Sequence, residues 1–109
     1  MSQPDFHNAL EEYKIFQAYF TNKNIDTHFF PFDEKVKIDS IYCRDASIAT
    51  DFGMIICNMG KGGRINEPQS HLDIYRKNDV SVLGIIEAPG TLEGGDVAWL
   101  DEKTLAVGY

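Results

Sequence analysis

Apolar positions recur along the chain with two periods, one typical of helices and one typical of strands. Between residues 5 and 22 apolar side chains return at helical spacing, with charged and amide residues between them, which predicts an amphipathic helix. We expect its apolar stripe to face the core. The stripe comprises Phe6, Leu10, Tyr13, Phe16, Ala18 and Phe20. A second, shorter helix is predicted over residues 68–77.

Short runs rich in β-branched and aromatic residues predict strands. They lie at residues 27–32, 41–50, 53–59, 80–86, 97–100 and 104–107. Arg44-Asp45 interrupts the second run. The second and third runs are separated by a short turn ending at Gly53, so we expect them to form a β-hairpin. The last two runs are expected to form another hairpin.

The predicted order is helix, strand, hairpin, helix, strand, hairpin. A hairpin–helix–strand unit occurs once in full, over residues 40–87, and parts of the same unit flank it on both sides. This order predicts an α/β chain with an internal structural repeat that is cut at both ends. No linker or low-complexity segment divides residues 1–109, so we expect a single domain.

Charge and hydropathy narrow the classes of partner. The chain has 109 residues and a net charge of −7, and no basic patch is present to neutralise phosphates. Nucleic acids and anionic membranes are therefore not expected as partners, whereas a small cationic ligand is compatible with this charge. Since no long apolar run or signal-peptide pattern occurs, we expect a cytoplasmic chain.

The cysteines and histidines carry no recognisable catalytic or metal-binding pattern. Cys43 and Cys57 lie in apolar, strand-like runs and are expected to be small buried residues, with a disulfide possible but not implied. His7, His28 and His71 are expected to be ordinary surface or partly buried histidines. Since zinc-ligand spacing is absent from the sequence, no metal or other cofactor is expected.

Four charged residues are candidates for binding or chemistry because each lies at the predicted start or end of an element. They are Asp45, Arg64, Glu93 and Asp96, and the last two flank a Gly-Gly pair. Two carboxylates and one arginine would suit a ligand with a cation at one end and a carboxylate at the other, such as an arginine-like molecule. Each also has an ordinary interpretation: a structural ion pair, a solvated loop arginine, or the acids of a tight turn.

Three segments together resemble the ordered motifs of the guanidine-modifying enzymes, the pentein superfamily. They are Tyr42-Cys43-Arg44-Asp45-Ala46-Ser47, Gly60-Lys61-Gly62-Gly63-Arg64-Ile65-Asn66-Glu67 and Leu92-Glu93-Gly94-Gly95-Asp96-Val97. The nearest branches are the dimethylarginine dimethylaminohydrolases and the arginine deiminases. Each motif is weak or moderately specific alone, and their order and spacing make the resemblance strong.

The resemblance implies an α/β propeller of hairpin–helix–strand modules with the active site in its central channel. In such enzymes a cysteine thiolate attacks the guanidinium carbon, and a histidine acts as general acid and base. By motif match Asp45 would bind the substrate guanidinium, and Arg64 would bind the substrate carboxylate. Glu93 would orient the histidine or hold the guanidinium, and Asp96 would support the site.

The chain departs from the family because the catalytic histidine and cysteine come later than the third motif. None of its own histidines or cysteines falls in those places. It therefore corresponds to the N-terminal portion of the domain, about two of five modules, and we expect it to be inactive alone. Because its apolar module faces would then lack their neighbouring modules, we expect a homo-oligomer or a complementary chain that covers them. An amidinotransferase fragment and a remnant that only binds a ligand or partner remain alternatives.

Overall fold

Three α-helices and five short strands follow one another in the computed structural model, which describes Gln3 and residues 5–108. The helices are α1 (Phe6–Asn22), α2 (Cys43–Ala46) and α3 (Glu67–Lys77). The strands are β1 (Ser47–Thr50), β2 (Gly53–Ile56), β3 (Val82–Ile85), β4 (Val97–Trp99) and β5 (Leu105–Val107). Single 3₁₀ turns lie at Ile38–Ile41, Gly62–Arg64 and Gly94–Asp96. The expected α/β class is confirmed.

The first three strands form one sheet in the order β1-β2-β3. β1 and β2 are an antiparallel hairpin, and α3 carries the chain across to β3, which lies parallel to β2. Gly53 begins β2 at φ +135°, and a Cβ there would lie 2.7 Å from the Ser81 carbonyl oxygen, so only glycine fits. The predicted hairpin–helix–strand unit is therefore present.

The second sheet is the antiparallel pair β4-β5, in which Val97 lies opposite Val107. A bridge between Asn58 and Leu92 joins this hairpin to the segment that follows β2. The side-chain amide of Asn58 also donates to the Gly90 carbonyl, at 2.6 Å. These bonds place the loop that precedes β4 beside the end of the first sheet.

A small apolar core lies between the two hairpins. Its buried members are Ala46, Ile48, Cys57, Met59 and Val97, with Ile55, Leu92 and Leu105 packed against them. Ala46 directly follows Arg44-Asp45, and Val97 directly follows the Gly94–Asp96 turn. The core therefore holds the first and third sequence motifs together through Ala46 and Val97, and brings the charged residues at its rim into one region.

The first helix is confirmed, but the expectation that its stripe faces the core is wrong. Asp5 caps α1 by accepting from the backbone N–H groups of His7 and Asn8. No residue of α1 is buried, and Phe16 is 56% exposed. An amphipathic stripe shows that a helix needs an apolar partner. It does not show that the partner belongs to the same stretch of chain.

Two predicted strand segments are also wrong. Residues 27–32 form no strand, and in the segment 41–43 Ile41 ends a 3₁₀ turn and Cys43 begins α2. A strand needs a neighbour to take up its backbone hydrogen bonds, and aromatic composition alone does not supply one. Cys43 is consequently exposed rather than buried, whereas Cys57 is buried as expected, and both thiols are free.

The surface of the chain is large for its mass. Its accessible area is 8891 Å², whereas a compact monomer of 12.3 kDa would expose about 6,100 Å². Its radius of gyration is 15.6 Å, against about 13 Å expected for this length. The excess includes the apolar faces of α1 and of residues 27–42. Within the described residues, no helix combines the length and apolar content needed to cross a bilayer.

Candidate functional site

Arg64 is the centre of a cluster of carboxylates. It ends the 3₁₀ turn before α3, and Glu67 begins that helix. The Nε and Nη2 of Arg64 donate to the two oxygens of Glu67 at 2.9 and 2.7 Å, a bidentate pair in which the arginine is 6% and the glutamate 1% exposed. Hydrogen bonds to Glu67, and then to Asp45, raise the pKa of Arg64 above its usual value despite desolvation.

The opposite edge of the Arg64 guanidinium faces two further carboxylates. Its Nη1 donates to Asp45 Oδ2 at 2.7 Å and lies 4.0 Å from Glu93 Oε2. Its Nη2 also donates to the Asp39 carbonyl at 3.2 Å. Three carboxylates therefore surround one guanidinium, which leaves two negative charges in excess at this place.

Two of the three carboxylates of the cluster reach solvent. The side chains of Asp45 and Glu93 are 22% and 28% exposed, whereas Arg64 and Glu67 are buried. The 4.0 Å contact of Glu93 with Arg64 is too long for a hydrogen bond, so its oxygens are only weakly engaged there. The arrangement can therefore accept hydrogen bonds from a cation that approaches from solvent.

The Gly-Gly pair of the third motif packs directly against Arg44-Asp45. A Cβ on Gly94 would overlap the Arg44 carbonyl oxygen, and one on Gly95 would lie 2.8 Å from Asp45 Oδ1. The Arg44 guanidinium in turn donates to the Val97 carbonyl. Gly94 is thus needed for this close approach, because the atom that a Cβ would overlap is backbone, and the contact sets Glu93 beside Asp45.

The structure brings three of the four predicted site residues together. Asp45, Arg64 and Glu93 lie in one cluster, whereas Asp96 is exposed at the end of the 3₁₀ turn. Asp96 contributes through its backbone, since its N–H donates to the Glu93 carbonyl and its own carbonyl accepts from Gly108. The roles assigned to all four residues stay predictions.

Glu67 belongs to the cluster but was not among the predicted site residues, although it lies in the second motif. A carboxylate three residues after an arginine, at the start of a helix, is the signal that could have identified it.

The buried thiol and the buried imidazole near this cluster are not poised for catalysis. Burial raises the pKa of Cys57 to about 11, against a smaller opposing effect of the Gly94 N–H. Burial also lowers the pKa of His71 to about 4. His71 Nδ1 lies 3.1 Å from Ser47 Oγ, which lies 2.8 Å from the Tyr75 hydroxyl. At neutral pH, Cys57 is therefore a thiol and His71 a neutral imidazole in a packed polar network.

Metal binding has no support from the residues that the structure describes. Among them, no group of three or more histidine, cysteine, aspartate or glutamate side chains is arranged to hold a metal ion.

Comparison with known proteins gives one curated relative and several solved structures, and no protein-family model matches the chain. The chain is 28% identical over 97 residues to N(G),N(G)-dimethylarginine dimethylaminohydrolase from Pseudomonas aeruginosa. It also resembles two solved structures of dimethylarginine dimethylaminohydrolase at 28% identity. One is a histidine-to-glycine variant as an adduct with S-methyl-L-thiocitrulline (TM-score 0.75). The other is a cysteine-to-serine variant from Pseudomonas aeruginosa with citrulline (TM-score 0.74).

These similarities cover nearly all of this chain but a smaller part of each relative. The curated match covers 89% of the chain and 38% of the relative, and the adduct structure 91% and 39%. The chain therefore spans less than half the length of the proteins it matches.

Proposed function

We propose that this chain supplies the guanidinium-binding part of a hydrolase site for arginine or a methylated arginine. The chain resembles the dimethylarginine dimethylaminohydrolases in sequence and fold. The observation that carries the proposal is the pair of partly exposed carboxylates, Asp45 and Glu93, beside the buried Arg64. A guanidinium is planar and presents its N–H groups in a fork that matches carboxylates. The excess of negative charge supports binding of a cation over an anion.

Each residue has a distinct part in this proposal. Asp45 accepts hydrogen bonds from the substrate guanidinium, and Glu93 holds its other edge or orients the catalytic histidine. Asp96 supports the turn that carries Glu93. Arg64 makes four hydrogen bonds within the protein and has five N–H donors, so one N–H of its Nη1 remains for contact with a substrate carboxylate. Its bond to the Asp39 carbonyl, at 3.2 Å, is the longest of the four.

The reaction needs a thiolate and an imidazole that this part of the site does not provide. In the proposed chemistry a thiolate attacks the guanidinium carbon, the amine leaves with a proton from a histidine, and water then releases the product. Cys57, with a pKa of about 11, and the buried His71 do not fit these tasks. We therefore assign both groups to protein outside the described residues, and expect no turnover by this chain alone.

The same proposal accounts for the uncovered surface. The hairpin–helix–strand unit would be one module of an α/β propeller, and further modules, from a complementary chain or another part of the protein, would cover the exposed faces. The accessible area exceeds that of a compact monomer by about 2,800 Å². This excess lies in the range of large permanent interfaces rather than of transient contacts.

The test is a titration of isotope-labelled protein with arginine, followed by the amide resonances of the chain. We expect shifts at Gly94 and Gly95 and a Kd of about 1 mM, since two partly solvated carboxylates give modest affinity. Lysine, whose ammonium lacks the planar fork, should bind more weakly.

Variants assign the binding to the two carboxylates. Asp45→Asn and Glu93→Gln should each weaken arginine binding about tenfold. Asp51→Asn removes an exposed charge at the turn between β1 and β2, and should leave the affinity unchanged. Equal weakening by Asp45→Asn and Asp51→Asn, or shifts that avoid the Gly94-Gly95 turn, would overturn the proposal.

A further inference from the structure

We infer that Glu67 is a positioning residue for the guanidinium site: by binding one edge of Arg64 it leaves Asp45 and Glu93 with negative charge to offer a ligand. The identity of the ligand rests on the proposed function, whereas the geometry of Arg64 does not. Glu67 is 1% exposed, so it does not itself reach a ligand in solvent. Its effect on binding must therefore pass through Arg64.

The bidentate contact determines which part of Arg64 faces the site. The carboxylate of Glu67 accepts one hydrogen bond from Nε and one from Nη2 of Arg64, at 2.9 and 2.7 Å. Only Nη1 is then directed towards Asp45 and Glu93. Because the guanidinium is a rigid plane, fixing one edge by two bonds also fixes the direction of the other edge.

The charge of Glu67 is as important as its geometry. With Glu67 ionised, Arg64 is already neutralised by a buried partner, and Asp45 and Glu93 keep charge for a cation. Without that carboxylate, the full positive charge of Arg64 would act on Asp45 and Glu93, which lie at 2.7 and 4.0 Å. A cationic ligand would then compete with Arg64 for the same two acids.

The place of Glu67 in the fold lets a carboxylate remain charged although it is buried. It is the first residue of α3, where free backbone N–H groups and the helix dipole favour negative charge. Pro68 follows within the first turn, a position that proline tolerates because it has no N–H to contribute. The buried charge is thus stabilised by both Arg64 and the helix start.

Three variants separate positioning from simple stability. Glu67→Gln keeps the shape but places an amide N–H₂ group against the donors of Arg64. Glu67→Asp keeps the charge. Asp73→Asn is the matched control, since it removes an exposed carboxylate from the same helix, where Asp73 accepts only from Gln69 among the described residues.

Two measurements are made on each folded variant. Hydrogen exchange of the Arg64 Nε–H reports its bond to Glu67 without any ligand, and arginine titration reports the affinity. We expect Glu67→Gln to speed this exchange and to weaken arginine binding about tenfold. Glu67→Asp should restore the affinity to within about threefold of wild type, and Asp73→Asn should change neither measurement.

The outcomes decide between the explanations. A merely structural glutamate would lower the thermal stability of both Glu67 variants without changing arginine affinity in the folded protein, and this would overturn the inference. Equal loss of affinity in Glu67→Gln and Glu67→Asp would overturn it as well, because charge would then not matter. If Glu67→Gln does not fold, Glu67→Asp decides: affinity near that of wild type supports the inference, and a tenfold loss refutes it. If the wild-type chain binds no arginine, the proposed function fails, and unchanged Arg64 exchange in Glu67→Gln would refute the positioning role separately.

Discussion

Replacing Gly94 by alanine tests how the third motif is held against Arg44-Asp45. A Cβ at Gly94 would overlap the Arg44 carbonyl oxygen and lie 3.0 Å from the carbonyl carbon. Both atoms are backbone, and the adjoining Ala46 is completely buried, so α2 has little room to move. The turn before β4 must therefore shift away from α2.

The cost of this shift can be worked from the contacts it breaks. Overpacking against rigid backbone costs about 1–3 kcal/mol. A shift of the turn also weakens the bond from the Arg44 guanidinium to the Val97 carbonyl, worth about 1.5 kcal/mol for a charged donor. We therefore expect Gly94→Ala to lower the free energy of unfolding by about 3 kcal/mol.

The assay is urea unfolding followed by circular dichroism, with Gly62→Ala as the control. Gly62 also lies in a 3₁₀ turn, but a Cβ there would meet no atom within 4 Å. Gly62→Ala should stay within about 0.5 kcal/mol of wild type or become slightly more stable. The reasoning is refuted if Gly94→Ala is as stable as wild type, or if the two alanine variants lose the same stability.

Three further predictions concern the histidine, the cysteines and the exposed helix. Burial holds the pKa of His71 in the folded chain at about 4, below its value of 6.5 in the unfolded chain. Between these two pH values the unfolded chain therefore binds more protons than the folded chain. The free energy of unfolding should consequently fall by about 2 kcal/mol as pH drops from 6.5 to 4. His71→Gln should reduce the pH dependence of the free energy of unfolding, measured by unfolding at several pH values. The same pH dependence in His71→Gln and wild type would contradict this role of His71. Iodoacetamide at pH 8 should modify the exposed Cys43 and spare Cys57, as read by mass spectrometry of the native protein; equal labelling would be inconsistent with the burial of Cys57. Sedimentation velocity should show association that rises with protein concentration, and Phe16→Glu on α1 should reduce this association. A monomer mass that does not depend on concentration would count against an apolar interface.

The elements whose packing could be predicted from sequence are those whose partners lie nearby in the chain. The β1–β2 hairpin, α3 and β3 form one unit in which each element packs on its sequence neighbours. Their pattern of apolar residues and turn glycines was therefore sufficient. The same holds for β4-β5.

The wrong predictions share a different cause. The stripe of α1 and the aromatic run at residues 27–32 have the composition of buried elements, yet most of both stays exposed. Within the run, Phe30 packs on α3, with its ring centroid 4.4 Å from that of His71. Composition indicates that burial is needed, but it does not indicate which segment provides it.

Part of the candidate site could be predicted from the sequence. Burying a charged residue at the end of an element costs free energy unless the residue is paired or binds a ligand. That reasoning identified Asp45, Arg64 and Glu93, which the structure places together. It missed Glu67, since a glutamate at a helix start usually has an ordinary role there. The distances and burial that distinguish Glu67 from such a residue arise only when α3 packs beside α2.

The central claim is that Asp45 and Glu93 bind a guanidinium, and a crystal structure of this chain with arginine tests it most directly. We expect the arginine guanidinium to lie between the two carboxylates, with N···O distances of about 2.7–3.0 Å and Arg64 still bound to Glu67. A guanidinium bound elsewhere, or an arginine-saturated crystal in which Asp45 and Glu93 contact only protein, would contradict the account.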